Sequence, residues 1–307
     1  MKCSVVIPVY RGEATLETLV EELGRVLPSL SDAYEVILVN DGSPDGSWGV
    51  IQSLSRAHTW LCGINLMRNY GQENATLCGI RAAHYETIVT MDDDLQHDPR
   101  DLPKLIGKLS EGYDVVYGVP RVRRQASWKS GLARLVKSVT SSLVGLRTVR
   151  DISSFKAFRA DLRRAFENIS GPDAHIDVLL SWATTRFASV EIEEAPRTSG
   201  QSNYSLMKLI KVALLVLVNY TTIPLRFASI VGFLFTVLGF FALIYVLAEY
   251  FAFGSIPGFP FLASTVIIFS GVQLFALGIM GEYLATIFGR SAGRPPYVIQ
   301  RTTGDPQ

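Results

Sequence analysis

A mainly parallel α/β domain followed by a two-helix membrane hairpin is the fold class this sequence predicts, and three observations predict it. Short β-branched apolar runs alternate with helical patterns from residue 4 to about 117. An acidic block closes one of those runs, and two long uncharged stretches occupy the last third of the chain.

The alternation comes first. Strands are expected at 4–9, 35–39, 61–66, 87–91 and 114–117, and Leu16, Leu19, Val20, Leu23 and Leu27 recur between the first two at the spacing of one helix face. Strand, helix, strand repeated in this way gives a sheet covered on both faces, with ligands bound at the carboxyl ends of its strands. Those ends carry Asn40-Asp41-Gly42-Ser43 after the second strand, Arg68-Asn69-Tyr70-Gly71 after the third and Asp92-Asp93-Asp94-Leu95-Gln96 after the fourth. Tyr10-Arg11-Gly12-Glu13 follows the first strand, so the glycine fingerprint of a dinucleotide cofactor is missing.

In an extended chain Asp92, Asp94 and Gln96 project together while Asp93 and Leu95 face away. Two carboxylates and an amide oxygen are hard donors, suited to Mg²⁺ or Mn²⁺ that keep positions open for substrate phosphates. Asp98 followed by Pro99 reads as a helix cap. A calcium loop is excluded, because His97 and Pro103 replace its turn glycine and terminal glutamate. Arg121, Arg123 and Arg124 cluster just past the fifth strand, where guanidinium forks can meet phosphate oxygens.

Composition narrows the rest. A net charge of +1 over 307 residues points neither to nucleic acid nor to an acidic tail. Cys3, Cys62 and Cys78 have no metal-ligand spacing, so a reduced compartment is expected. The first run is too short for a signal core, which leaves the first domain in the cytosol. Mean hydropathy is positive, +0.25, and the excess sits at the end. Residues 205–226 read as an amphipathic interfacial helix with Lys208 and Lys211 on one side. Phe227 to Ala248 carries no charge and extends about 33 Å as helix, enough to cross the hydrocarbon core. A second uncharged run, Phe261 to Gly281, follows a glycine- and proline-rich break. Spans at about 227–250 and 261–282 therefore form a hairpin over 227–285, with residues 1–204 as the catalytic domain and 286–307 as a tail. Basic residues flank the hairpin on both sides and only Glu249 lies between the runs, so both termini are expected in the cytosol.

A metal site, a basic cluster and a membrane anchor together imply joining a phosphate-bearing soluble donor to an acceptor in the bilayer. The ordered motifs Ser4-Val5-Val6-Ile7-Pro8-Val9-Tyr10, Asn40-Asp41-Gly42-Ser43, Arg68-Asn69-Tyr70-Gly71-Gln72, Asp92-Asp93-Asp94-Leu95-Gln96, Gly112-Tyr113-Asp114 and Ser202-Asn203-Tyr204-Ser205, with Pro224-Leu225-Arg226 and Gly281-Glu282-Tyr283-Leu284 in the membrane part, resemble glycosyltransferase family 2, in particular its polyprenyl-phosphate branch. The resemblance implies a GT-A, Rossmann-like fold, a nucleotide-sugar donor, Mg²⁺ or Mn²⁺, inversion at the anomeric carbon, a polyprenyl-phosphate acceptor and homo-oligomers such as tetramers. It assigns nucleotide contacts to Pro8, Tyr10 and Asp41, with Arg68 nearby, and places Asp92 near the ribose and diphosphate. Asp94 and Gln96 would hold the metal, Arg121, Arg124 and Arg197 would contact phosphate, and Ser202 would face the acceptor.

Two positions depart from the family. Ser154-Phe155-Lys156 stands where Asp-Phe-Arg is frequent, which leaves Asp151 as the substitute base. Asn203 stands where the family has a lysine, so that acceptor-phosphate contact does not carry over, and Lys208, close by in the sequence, is the candidate for it. A polysaccharide synthase is excluded because the chain has no Gln-x-x-Arg-Trp. A transferase acting on another lipid or on a protein, and a catalytically inactive scaffold subunit, stay open.

Overall fold

The computed structural model describes residues 2–121, 152–167, 175–193, 222–254 and 258–303. They fall into two units, one of residues 1–204 with 293–307, the other of residues 205–292.

The first unit is built on an eight-stranded sheet of order β7-β5-β6-β4-β1-β2-β3-β8. Its strands are β1 (Lys2–Val9), β2 (Ala33–Asn40), β3 (Leu61–Leu66), β4 (Thr87–Thr90), β5 (Val115–Pro120), β6 (Lys156–Arg159), β7 (Phe187–Ile192) and β8 (Ile299–Thr302). The helices are α1 (Leu16–Leu30), α2 (Ser47–Ala57), α3 (Gln72–Ala82), α4 (Leu102–Ser110) and α5 (Ile176–Ala183), with a 3₁₀ segment at Ala160–Phe166. β1 pairs in parallel with both β2 and β4, and β2 with β3. That arrangement aligns the carboxyl ends of four strands along one edge. β6 is antiparallel to β4 and to β5, while β5 and β7 are parallel.

Both faces of the sheet are covered. Val5, Ile7 and Val9 of β1 pack with Val36, Leu38 and the predicted α1 stripe, whereas Val6, Ile37 and Val39 pack with Ala75, Cys78 and Ile80 of α3. Apolar residues on both sides of a strand explain its unbroken hydrophobic run. The three cysteines are free thiols.

Three strands lie outside the sequence expectation, and β8 corrects the reading of residues 286–307 as a tail. The chain leaves the second unit after residue 292 and returns to the sheet edge, where Ile64 pairs with Thr302 and Asn65 with Arg301 in antiparallel register. Gly63 N–H donates to Thr303 Oγ1 at 3.0 Å. Asn65 Nδ2 donates to Gln300 Oε1, and Asn40 Nδ2 donates to Asn65 Oδ1, both at 2.6 Å. The terminal strand thus braces the end of β2.

Asp114 fixes the entry to β5. Its carboxylate accepts from Arg186 Nη2 at 2.6 Å, Arg186 Nε at 3.0 Å and Thr184 Oγ1 at 2.6 Å. The Arg186 bond holds its pKa below the ordinary value. A depressed carboxylate stabilises the fold fully above its unfolded pKa and loses that contribution as pH falls through the folded one. Because Arg186 is largely exposed and screened, Asp114→Ala is expected to cost about 1–2 kcal/mol at pH 7. The gap in thermal midpoint between wild type and variant should then shrink below about pH 4.

The second unit holds α6 (Ile223–Phe253) and α7 (Phe259–Ser291). Both are long and apolar enough to cross a membrane. The spans expected at 227–250 and 261–282 lie inside these helices, which extend further at each end. The proposed interfacial helix lies outside the described residues over 205–221; its last residues, from Ile223, belong to α6. Phe235 and Phe269 meet edge to face at 6.0 Å, and a Cβ on Gly239 would come within 2.8 Å of the Phe269 ring. Phe233, Phe241, Phe251, Leu274 and Phe288 are each more than half exposed, a surface suited to hydrocarbon rather than water.

Candidate active site

The site forms where the loops after β1, β2, β3 and β4 converge. Residues 91–96 are not extended: Leu95 has φ +58°, and Asp94 Oδ1 accepts from Gln96 N–H at 3.2 Å, closing a tight turn. The alternation assumed from the sequence therefore does not describe this loop. Asp93, expected to face away, accepts from Tyr10 N–H at 3.2 Å and ties the acidic loop to the one after β1. Burial pushes its pKa up to about 7, with Asp92 and Asp94 adding repulsion. In that facing loop Arg11 is also left-handed, φ +60°, with its N–H donating to Ser43 Oγ at 3.2 Å. Each such non-glycine residue costs roughly 1–3 kcal/mol and persists only where its surroundings enforce it. Both flank the site.

Asp92 is held from two sides. Gln72 Nε2 donates to Oδ1 and Ser154 Oγ to Oδ2, each at 2.6 Å. Ser154 therefore orients Asp92. A carboxylate in its place would set two like charges in contact.

After β2, Asp41 accepts from Tyr70 N–H at 2.7 Å and from Gly71 N–H at 2.9 Å. Burial raises its pKa against those two bonds. Gly42, at φ +60°, lies so close to the Arg68–Asn69 peptide that a Cβ would stand 2.6 Å from Asn69 N. The Arg68 guanidinium stacks over the Tyr70 ring at 4.6 Å.

Among the expected residues, Pro8 and Asp92 line one cavity of about 250 Å³. Asp41 and Arg68 share the adjoining β2 and β3 loops, and Tyr10 is exposed beside Asp93. Arg121 stands at the end of β5, its guanidinium exposed and 4.0 Å from Glu191. Arg124, Asp151, Arg197, Ser202 and Lys208 lie outside the described residues.

Gln72 and Ser154 stand in sequence motifs that assign them no contact, and Glu73 and Asp177 carry no sequence signal. The four, with Lys156, line the cavity. Lys156 is 4% exposed and its Nζ is paired with Asp177 Oδ1. Tyr117 O–H donates to the same oxygen at 2.9 Å, and Glu73 accepts from Ile176 N–H at 3.1 Å.

Asp94 and Gln96 offer hard oxygen donors at a strand's carboxyl end. Among the described residues no three His, Cys, Asp or Glu side chains converge on a metal position. Few protein ligands, with substrate phosphates completing the shell, is the pattern of Mg²⁺ sites, and it fits this donor set.

A two-faced sheet whose carboxyl edge carries an acidic loop and a polar cavity defines a GT-A-like fold of the glycosyltransferase type. The model for glycosyl transferase family 2 matches residues 4–171, and the chain belongs to that family. Undecaprenyl-phosphate 4-deoxy-4-formamido-L-arabinose transferase of Photorhabdus laumondii is 34% identical over 310 residues, 99% of this chain and 95% of its own. Its namesake in Pseudomonas aeruginosa PAO1 is 32% identical, with 97% and 89% covered. Among solved structures, glucosyl-3-phosphoglycerate synthase of Mycobacterium tuberculosis, bound to Mn²⁺, UDP-glucose and phosphoglyceric acid, aligns with a TM-score of 0.50 at 20% identity over 71% of this chain and 77% of its own. A mycobacterial protein aligns at 0.52 and 18% identity, with 71% and 72% covered. These two likenesses concern the fold.

Proposed function

We propose that this glycosyltransferase moves a sugar from a nucleoside-diphosphate donor to a polyprenyl phosphate, with inversion at the anomeric carbon and with Mg²⁺ or Mn²⁺, on the cytosolic leaflet. The observation that carries the reading is the acidic loop at the end of β4: the Asp94 carboxylate accepts from the Gln96 backbone N–H in a tight turn beside an Asp92 already fixed by Gln72 and Ser154. The relatives named for transfer to undecaprenyl phosphate, similar over nearly the whole chain, support it.

Asp94 and Gln96 would hold the divalent ion, which would offset the charge growing on the leaving diphosphate. Exposed Tyr10 and the Asp41 loop offer a nucleoside a stacking face and hydrogen-bonding groups. Arg68, together with Arg121, Arg124 and Arg197, supplies guanidinium groups for the phosphates. Ser202 and Lys208 are assigned to the acceptor side.

A lipid phosphate monoester has its second pKa near 6 and is largely dianionic at neutral pH. It needs no strong base, which accords with a serine at position 154, and Asp151 remains the candidate should one act. Residues 1–204 and 293–307, which precede and follow the helical unit in the chain, belong to one folded unit. An even number of crossings keeps both ends on one side, and the flanking basic residues favour the cytosol.

Release of nucleoside diphosphate tests the reading directly. Detergent-purified protein is given a panel of nucleotide sugars with and without undecaprenyl phosphate and Mn²⁺. One donor should be consumed only when lipid phosphate is present; EDTA should stop the release and Mn²⁺ restore it. Donor breakdown indifferent to the lipid would overturn it.

A further inference from the structure

The last strand of the sheet carries an irregularity that bears on the loop after β2. In the antiparallel pair of β3 and β8 the register shifts between Asn65 and Leu66: Asn65 pairs with Arg301, but Leu66 pairs with Ile299. Gln300 is therefore an extra residue, outside the ladder pairs. Such a β-bulge bends a strand and re-aims a side chain, and bulges are frequent beside active sites. Here the side chain concerned is that of Gln300, whose Oε1 accepts from Asn65 Nδ2 at 2.6 Å.

From Gln300 the bonds lead inward. Asn65 Oδ1 in turn accepts from Asn40 Nδ2 at 2.6 Å, and Asn40 immediately precedes Asp41. Asn40 is 2% exposed and Asn65 7%, so neither amide can exchange its protein partner for bulk water without moving. Asn40 Oδ1 is buried and has no partner among the described residues. An aliphatic side chain at that position would cover the sheet without an orphaned acceptor, so stability alone does not account for the amide. The same terminal segment also holds the neighbouring loop. Met67 N–H, one residue before Arg68, donates to Val298 O at 3.0 Å. The segment thus bears on Asp41 from one side and, from the other, on the stretch leading to the Tyr70 and Gly71 amides that its carboxylate accepts from.

We propose that Gln300 is a positioning residue for the donor: acting through Asn65 and Asn40, it sets the loop that carries Asp41, so that affinity for a nucleoside diphosphate depends on a residue of the chain's last strand. The proposal rests on the glycosyl-transfer reading above, which gives Asp41 a nucleotide contact, and adds a residue that acts on that contact at one remove.

Binding of free diphosphates tests it apart from turnover. With full-length protein in detergent and Mn²⁺, the Kd values of UDP, GDP, CDP and dTDP are measured by calorimetry, and the tightest of the four is followed through the variants. Gln300→Leu removes the acceptor and strands Asn65 Nδ2, so Kd should rise about five- to tenfold. Donor KM should rise by the same factor with kcat within about twofold of wild type, because the loop holds the nucleotide and not the reacting carbon. Thr303→Val is the control. It removes a bond made by the same strand, from Gly63 N–H to Thr303 Oγ1, that does not lead to Asp41. Its Kd should stay within about twofold of wild type. Gln300→Ala gives the same readout should the leucine variant fail to fold.

Equal weakening by Gln300→Leu and Thr303→Val would overturn the proposal, because it marks a strand that matters to stability alone. So would a Gln300→Leu variant that binds the diphosphate as wild type does. Asp41→Ala keeps the two readings apart. Affinity lost there and kept in Gln300→Leu removes this inference and leaves the transfer reading standing. Affinity unchanged by Asp41→Ala, or a wild type that binds none of the four, removes the nucleotide reading beneath it as well.

Discussion

Asp94→Asn is expected to lower glycosyl transfer by about 10²–10³-fold, the loss that follows removal of one group stabilising charge that develops in the transition state. The side chain is part-exposed and its oxygen accepts from Gln96 N–H, a bond an asparagine amide oxygen can keep. Folding should therefore survive, and a thermal midpoint within a few degrees of wild type would show that it has. What the substitution removes is the negative charge that would hold the divalent ion against the leaving diphosphate. Residual activity in the variant should consequently respond little to EDTA. Full, metal-stimulated turnover would show that Asp94 is not a ligand.

The second large effect concerns the fold beneath the site. Gly42→Ala is expected to cost at least about 2 kcal/mol, since a left-handed backbone penalises a Cβ by roughly 1–2 kcal/mol and steric overlap adds to that. The Cβ would press on the Arg68–Asn69 peptide, next to the Tyr70 and Gly71 amides that Asp41 accepts from. A fall in thermal midpoint of about 4–8 °C should come with weakened binding of whichever nucleoside diphosphate the donor panel identifies, since the β2 and β3 loops must separate. An alanine variant with unchanged midpoint and nucleoside-diphosphate affinity would mean that the two loops are not coupled.

These effects depend on parts of the molecule that were unequally legible in the sequence. Strands β1 to β5 were readable because apolar, β-branched residues fill both faces of a covered sheet. β6 was not: Lys-Ala-Phe-Arg is four residues long, and its buried lysine contradicts the pattern that marks a strand. β8 is short, lies at the sheet edge, exposes most of its residues and carries little apolar signal. The acidic loop stood out by composition, yet its geometry did not, because the left-handed turn at Leu95 cancels the strand alternation from which Asp93 was read as facing away. Glu73, Lys156 and Asp177 come from three distant segments, and only the tertiary fold gathers them around one cavity.

Mass spectrometry of the lipid product tests the central claim most directly. Protein in detergent, supplied with Mn²⁺, undecaprenyl phosphate and the donor panel, should yield undecaprenyl phosphate heavier by one sugar residue from one donor. It should yield none from the same mixture with Asp94→Asn over the same time course. Lipid phosphate that stays unmodified with every donor would contradict the account.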